Sequence, residues 1–134
     1  RQAVGDENIF IFGLKTHEVR ALRQSGYQPM HYFESLPALR AVLTSIADGR
    51  FSPTEPARYR ALVESLAWGG DHYLLLADYA AYVATQLRVD ALYAQPAAWA
   101  ERAIANVAGM GIFSSDRSVR EYASQIWNIL PTAD

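Results

Sequence analysis

Ile9-Phe10-Ile11-Phe12-Gly13 is the stretch on which the fold turns. Four consecutive β-branched or aromatic residues closed by glycine carry no helical period, and such a run reads as a strand buried on both faces. The rest of the chain reads as helix. Thr16 is placed to cap a short helix through Arg23, with Val19 and Leu22 inward and Gly26 at its C-terminal stop. Residues 27–34 are aromatic and short, one or two turns. Pro37 suits a first helical position, and Leu39, Val42, Leu43 and Ile46 recur at helical spacing up to Gly49. Ser52, Pro53 and Glu55 read as a capped entry to a helix whose stripe is Tyr59, Leu62, Val63 and Leu66.

Trp68-Gly69-Gly70-Asp71 breaks that helix. His72-Tyr73-Leu74-Leu75-Leu76 stays open between extended chain and a helical turn, because a short apolar run has no diagnostic period. Asp78 then caps a helix carrying Tyr79, Tyr82, Val83, Gln86, Val89, Leu92 and Tyr93. Pro96 opens another, with Trp99, Ile104 and Val107 inward, and Gly109-Met110-Gly111 ends it. Ser114-Ser115-Asp116-Arg117 supplies the last N-terminus, and Val119, Tyr122, Ile126 and Trp127 line a helix that stops at Pro131. The expected architecture is mainly α: one N-terminal buried strand followed by about six helices. No internal repeat or low-complexity linker interrupts residues 1–134, which read as a single segment with no internal boundary.

A lone buried strand would leave its backbone donors and acceptors unpaired. A fully apolar strand of this kind belongs inside a parallel sheet covered by helices. The expectation is therefore a C-terminal fragment of a larger α/β protein, holding its last strand and the helices that follow; a chain opening at Arg1 without methionine points the same way. The alternative is that residues 9–12 form an extended arm packed on the helices.

Composition agrees with a missing remainder. Hydrophobic residues make up 51% before the 8 glycines are added, above the ~45–50% usual with glycine included. Charged residues reach 19%, against about 25% in a typical domain. The excess of apolar side chains excludes disorder and asks for something to cover it. A net charge of −2 gives no electrostatic footprint for nucleic acid or an anionic membrane. The longest apolar runs are a few residues, too short to span a bilayer, and no signal peptide is visible. Without cysteine there is no disulfide framework, thiolate nucleophile or cysteine-based zinc site, and a cytoplasmic location is the default expectation. Lys15 is the only lysine among 12 basic residues, so it alone is a candidate for lysine-based covalent chemistry.

No chemical motif survives inspection. His17-Glu18 lacks the second histidine of a zinc-protease helix, since Ala21 stands there. His31 and His72 stand alone, and no Gly-x-Ser-x-Gly elbow exists. Gly109-Met110-Gly111-Ile112-Phe113-Ser114 follows a helix rather than a strand, which favours a turn over a dinucleotide fingerprint. Ser114, Ser115 and Asp116 read as side-chain caps before an anion site. Asp6 and Glu7, adjacent on an extended chain, point to opposite sides and make a poor acid–base pair. Tyr79, Tyr82, Trp99 and Trp127 sit at core spacing and read as packing before sugar stacking. Catalytic, cofactor-binding and metal-ligating residues are therefore each expected to be none in this segment.

The order of motifs resembles the C-terminal end of the α-1,4-glucan phosphorylases, the glycogen, starch and maltodextrin phosphorylase family. Gly5-Asp6-Glu7-Asn8-Ile9-Phe10-Ile11-Phe12-Gly13 looks like the family's G-x-E-N-x-F-x-F-G strand. Gly26-Tyr27, Tyr32 and Pro37-x-Leu39 resemble the next stretch, and Gly49-x-Phe51-Ser52-Pro53 its G-x-F-S-P turn. Ala77-Asp78-Tyr79 with Tyr82 and Gln86 is similar to the A-D-F/Y-x-x-Y-x-x-x-Q helix. The most specific series is Trp99, Asn106, Gly111, Phe113-Ser114-Ser115-Asp116-Arg117, Glu121-Tyr122-Ala123 and Ile126-Trp127.

The resemblance implies a parent enzyme of two nucleotide-binding-like lobes, the GT-B architecture, with this segment closing the C-terminal, cofactor-side lobe. Such an enzyme cleaves the terminal α-1,4 bond of a glucan with inorganic phosphate, releasing glucose 1-phosphate with retained configuration. Pyridoxal 5′-phosphate would be its cofactor, held on a lysine upstream of residue 1, so none is expected bound here. The segment's partner would be the remainder of the chain, with Ser114–Leu130 crossing toward the other lobe and setting the cleft geometry. Alone it is expected to be inactive and to self-associate. Two alternatives stand beside this: an independent helical interaction module with an apolar partner face, and the tail of a related GT-B glucan synthase.

Overall fold

The computed structural model describes residues 3–129, and no β-strand occurs among them. Seven α-helices follow one another: α1 (Thr16–Gln24), α2 (Pro29–Ser35), α3 (Pro37–Ala47), α4 (Arg60–Ala67), α5 (Leu75–Tyr93), α6 (Pro96–Gly109) and α7 (Ser115–Gln125). Short 3-10 turns occupy Asp6–Asn8 and Met110–Phe113. The expectation of a mainly α chain holds, and that of a buried N-terminal strand does not. Residues 9–12 run extended, with Ile9 at φ −136° and ψ 137°, but they are an arm rather than a strand. Ile11 is 49% exposed, and Ile9 and Phe12 are exposed as well. The reason is the backbone: a ladder needs a second strand, and helices offer only side chains.

Two compact units result among the described residues, one formed by Phe12–Leu87 and the other by residues 3–11 together with residues 88–129. In the Phe12–Leu87 unit, α2, α3 and α4 pack on one another. Leu39 and Leu43, one turn apart on α3, meet Val63 of α4 and Leu76 of α5 in the core. Tyr32, Phe33, Leu36, Ile46, Leu66 and Tyr79 close around them. Each fully buried Leu or Val contributes about 1.5–3 kcal/mol. Phe12 meets Tyr82 edge-on at 5.3 Å.

Several boundaries differ from the sequence reading. Residues 51–59 are successive turns, each closed by a local bond such as Glu55 N–H to the Ser52 carbonyl at 3.1 Å, so α4 starts only at Arg60. Asp78 lies inside α5 rather than at its cap. Its carboxylate is drawn away to the chain before α1, where Oδ1 accepts the Leu14 N–H at 2.8 Å. Gly13 there has φ +86°, and a Cβ on it would meet Asp78 Oδ2 at 2.6 Å, so the turn needs glycine twice over.

In the other unit, Leu92 is buried and Trp99 meets Tyr93 edge-on at 5.1 Å. Asn106 Nδ2 donates to the Asn8 carbonyl at 2.6 Å and to the Arg102 carbonyl at 2.8 Å, which ties the arm to α6. The Arg88 guanidinium lies 5.5 Å above the Phe10 ring. Residues expected to face inward here mostly do not: Ile104, Val119, Tyr122, Ile126 and Trp127 are exposed, and Val107 is 75% exposed. A helical stripe records which face asks to be covered, and α6 and α7 carry that stripe on an open surface. Leu130 and Pro131, expected to end the last helix, lie outside the described residues. No helix among the described residues is long and apolar enough to cross a membrane.

Candidate functional site

Between α4 and α5 the backbone does something that ordinary loops do not. Gly69 N–H bonds the Glu64 carbonyl at 2.6 Å, and the chain then enters left-handed geometry at Gly70 (φ 87°), Asp71 (φ 42°) and Leu74 (φ 58°). Glycine adopts this freely and aspartate tolerates it, whereas leucine pays roughly 1–2 kcal/mol. Strain of this kind persists only where the surroundings over-determine it. Leu74 is buried, so core packing holds it there.

Asp71 is the centre of the loop and only 1% exposed. Its Oδ2 accepts the Tyr27 hydroxyl at 2.7 Å and the Leu76 N–H at 2.7 Å. The second bond satisfies one of the free donors at the start of α5. Oδ1 is equally buried and has no hydrogen-bond partner among the described residues. Tyr27 responds to this setting. Burial first, then the hydrogen bond to Asp71 and its charge, push the phenol well above the ordinary tyrosine range. The hydroxyl therefore stays protonated and donating, which suits a structural clasp and disqualifies it as a general base.

Arg23, in the last turn of α1, donates from Nη2 to the His72 carbonyl at 2.6 Å and makes no ion pair among the described residues. Arg23, Gly26, Tyr27, Gly70, Asp71 and His72 wall a cavity of about 320 Å³. The His72 ring meets Tyr73 edge-on at 4.9 Å, and Tyr73 is 77% exposed. The cavity is a small concave surface edged by the Arg23 guanidinium and the open backbone at Gly26 and Gly70, with the Asp71 carboxylate buried beneath it.

The residues weighed from the sequence fall elsewhere, with one exception. Glu18 Oε2 accepts the Lys15 N–H at 2.7 Å, so the His17-Glu18 pair serves the start of α1. His31 stacks edge-on against Tyr32 at 5.7 Å. Glu7 Oε1 accepts from Asn8 Nδ2 at 3.1 Å. Gly109-Met110-Gly111 is the end of α6 and a 3-10 turn. Ser114 precedes α7 without any side-chain cap; its carbonyl instead accepts the Ser118 hydroxyl at 3.2 Å. Trp127 and Tyr82, taken for core, are exposed. His72 is the exception, since it belongs to the cavity although it looked solitary. Asp71 and Tyr27 were missed as a pair because 44 residues separate them; the doubled glycine before an aspartate was the available signal. No three His, Asp or Glu side chains among the described residues converge as a metal ion would require.

The model of the carbohydrate phosphorylase family matches residues 1–129. The chain is 44% identical over 128 residues to a glycogen phosphorylase of Haemophilus influenzae, covering 96% of this chain and 16% of that protein. It is 41% identical over 131 residues to the liver form of glycogen phosphorylase of Homo sapiens, covering 98% and 15%. To the brain form of Bos taurus it is 45% identical over 132 residues, covering 98% and 16%. The chain thus spans about one sixth of the length of these relatives.

Proposed function

The chain belongs to the carbohydrate phosphorylase family, and from that premise we propose that it is the C-terminal structural portion of an α-glucan phosphorylase. The parent would cleave α-1,4-glucan with inorganic phosphate, releasing glucose 1-phosphate with retained configuration, in the cytoplasm, on a GT-B framework. The observation that carries this reading is 41–45% identity sustained over 96–98% of the chain. Likeness of that density along the whole segment leaves little of it for an unrelated task.

Pyridoxal 5′-phosphate would serve the parent as its proton-transferring phosphate. The residues of this segment do not fit it. An aldehyde cofactor needs a lysine amine in a desolvated pocket. Lys15 is exposed at the head of α1, with its backbone N–H donated to Glu18. The segment's own contribution is to hold shape: α2, α3 and α4 around Leu39, Leu43 and Val63, and the arm clasped to α6 by Asn106. Shape of this kind acts on catalysis through positioning. The 134-residue polypeptide, incubated with pyridoxal phosphate, maltodextrin and phosphate, is expected to release no glucose 1-phosphate. The complete encoded polypeptide is expected to release it. Turnover by the segment alone would sink the reading.

A further inference from the structure

We infer that Asp48 is a site of spontaneous backbone modification, where the chain passes through a succinimide to an isoaspartyl link, and that the turn closing α3 sets the rate. Asp48 is the only aspartate or asparagine in the sequence that is followed by glycine. Ring closure brings the next amide nitrogen onto the side-chain carboxyl carbon, and a following residue without Cβ obstructs that approach least. Asp48 is exposed at the C-terminal cap of α3. Its carboxylate makes no hydrogen bond or ion pair among the described residues. Asp71 and Asp78, by contrast, each accept a backbone N–H and precede His72 and Tyr79.

The chemistry needs only water. A bond forms from the Gly49 nitrogen to Asp48 Cγ, and the bond from Cγ to one of its oxygens breaks. That oxygen leaves as water, taking the amide proton and the carboxyl proton. A second water then adds to one of the two ring carbonyls and breaks its bond to nitrogen. Opening at Cγ restores aspartate. Opening at the Asp48 main-chain carbonyl leaves a free carboxylate there and a main chain that runs through Cβ and Cγ. Nothing is oxidised or reduced, and the final mass is that of the starting chain.

The folded turn opposes the first step. Asp48 has φ −76° and ψ 1°. At this ψ its own nitrogen lies in the plane of the following peptide and Cβ stands out of that plane, whereas the ring needs Cβ within it. The residue must therefore rotate about its Cα–C bond. Three closures resist that: Gly49 N–H to the Ile46 carbonyl at 3.1 Å, Arg50 N–H to the Ser45 carbonyl at 3.1 Å, and Ser52 N–H to the Gly49 carbonyl at 2.9 Å. Gly49 is also buried at φ +74°, and a Cβ on it would stand 2.5 Å from Pro56 Cα. The backbone has no room to swing until the turn opens locally. The same closeness keeps an isoaspartyl chain, longer by one carbon, from re-forming the turn.

The test ages the complete encoded polypeptide at neutral pH in heavy-oxygen water, folded and in guanidinium chloride. Trypsin then releases residues 41–50 between Arg40 and Arg50. Chromatography is expected to resolve an isoaspartyl form of this peptide that carries one heavy oxygen, with fragment ions placing the link at residue 48. It should form at least about tenfold more slowly in the folded protein than in denaturant, because only the opened fraction reacts. Asp48→Glu keeps the charge but needs a larger ring, and should abolish the product in both conditions. Pro56→Gly removes the side chain beside Gly49 and loosens the turn, so it should raise the folded rate and leave the denatured rate unchanged. No isoaspartyl form at residue 48 in denaturant would overturn the site. Equal rates in wild type, folded and denatured, would overturn control by the turn, as would a folded rate in Pro56→Gly no faster than in wild type.

Discussion

Tyr27 and Asp71 show how far one hydrogen bond reaches. The phenol donates at 2.7 Å to a carboxylate that is 1% exposed, and its affinity for the proton rises above the ordinary value near 10. The sign follows from linkage. Above pH 10 the unfolded chain releases this proton while the folded chain keeps it, so unfolding is favoured as pH rises. The stabilisation is complete below about pH 10 and declines above it. Urea midpoints measured from pH 8 to 11 are expected to fall more steeply in wild type than in Tyr27→Phe. At neutral pH the phenylalanine variant should be less stable by about 1 kcal/mol, through the lost bond. A parallel pH dependence in the two proteins would refute the assignment. None of this was visible in the sequence, where Asp71 was only the residue that broke a helix and Tyr27 one of eight tyrosines.

At the level of elements, punctuation was legible and company was not. Pro37 and Pro96 stand at the first positions of α3 and α6, as their missing N–H predicts. Leu39, Leu43 and Val63 were read as core and are core. The Ser52-Pro53-Glu55 cap was read too early because three turns intervene before Arg60, and turn residues and cap residues are the same kinds. Residues 9–12 were read as a strand because four apolar residues carry no period. What fixes them comes from far along the chain, where no local pattern reports it: Asn106 holds the Asn8 carbonyl just ahead of them, Arg88 lies over Phe10 and Tyr82 meets Phe12. Asn106→Ala should therefore free the arm. Hydrogen exchange is expected to show lost protection at residues 4–10 with α3 unchanged, at a cost of about 1 kcal/mol. Unchanged protection of the arm would show that the Phe10–Arg88 contact suffices without Asn106.

For the whole molecule, the open apolar faces on α6 and α7 set the behaviour in solution. Ile104, Val107, Tyr122, Ile126 and Trp127 are exposed, and a net charge of −2 does little to keep copies apart. Light scattering of the 134-residue polypeptide is expected to show mass rising with concentration, and Val107→Glu with Ile126→Glu to reduce it. A constant monomer mass at high concentration would contradict this. The Asn106 clasp has one more consequence, which concerns time. Its partner Asn8 lies 98 residues earlier. At ribosomal speeds that is a delay of roughly 5–20 s, during which the Asn8 carbonyl waits for its donor while the residues that form the Leu39–Leu43–Val63–Leu76 core are already made. The arm is translated well before the helix that holds it.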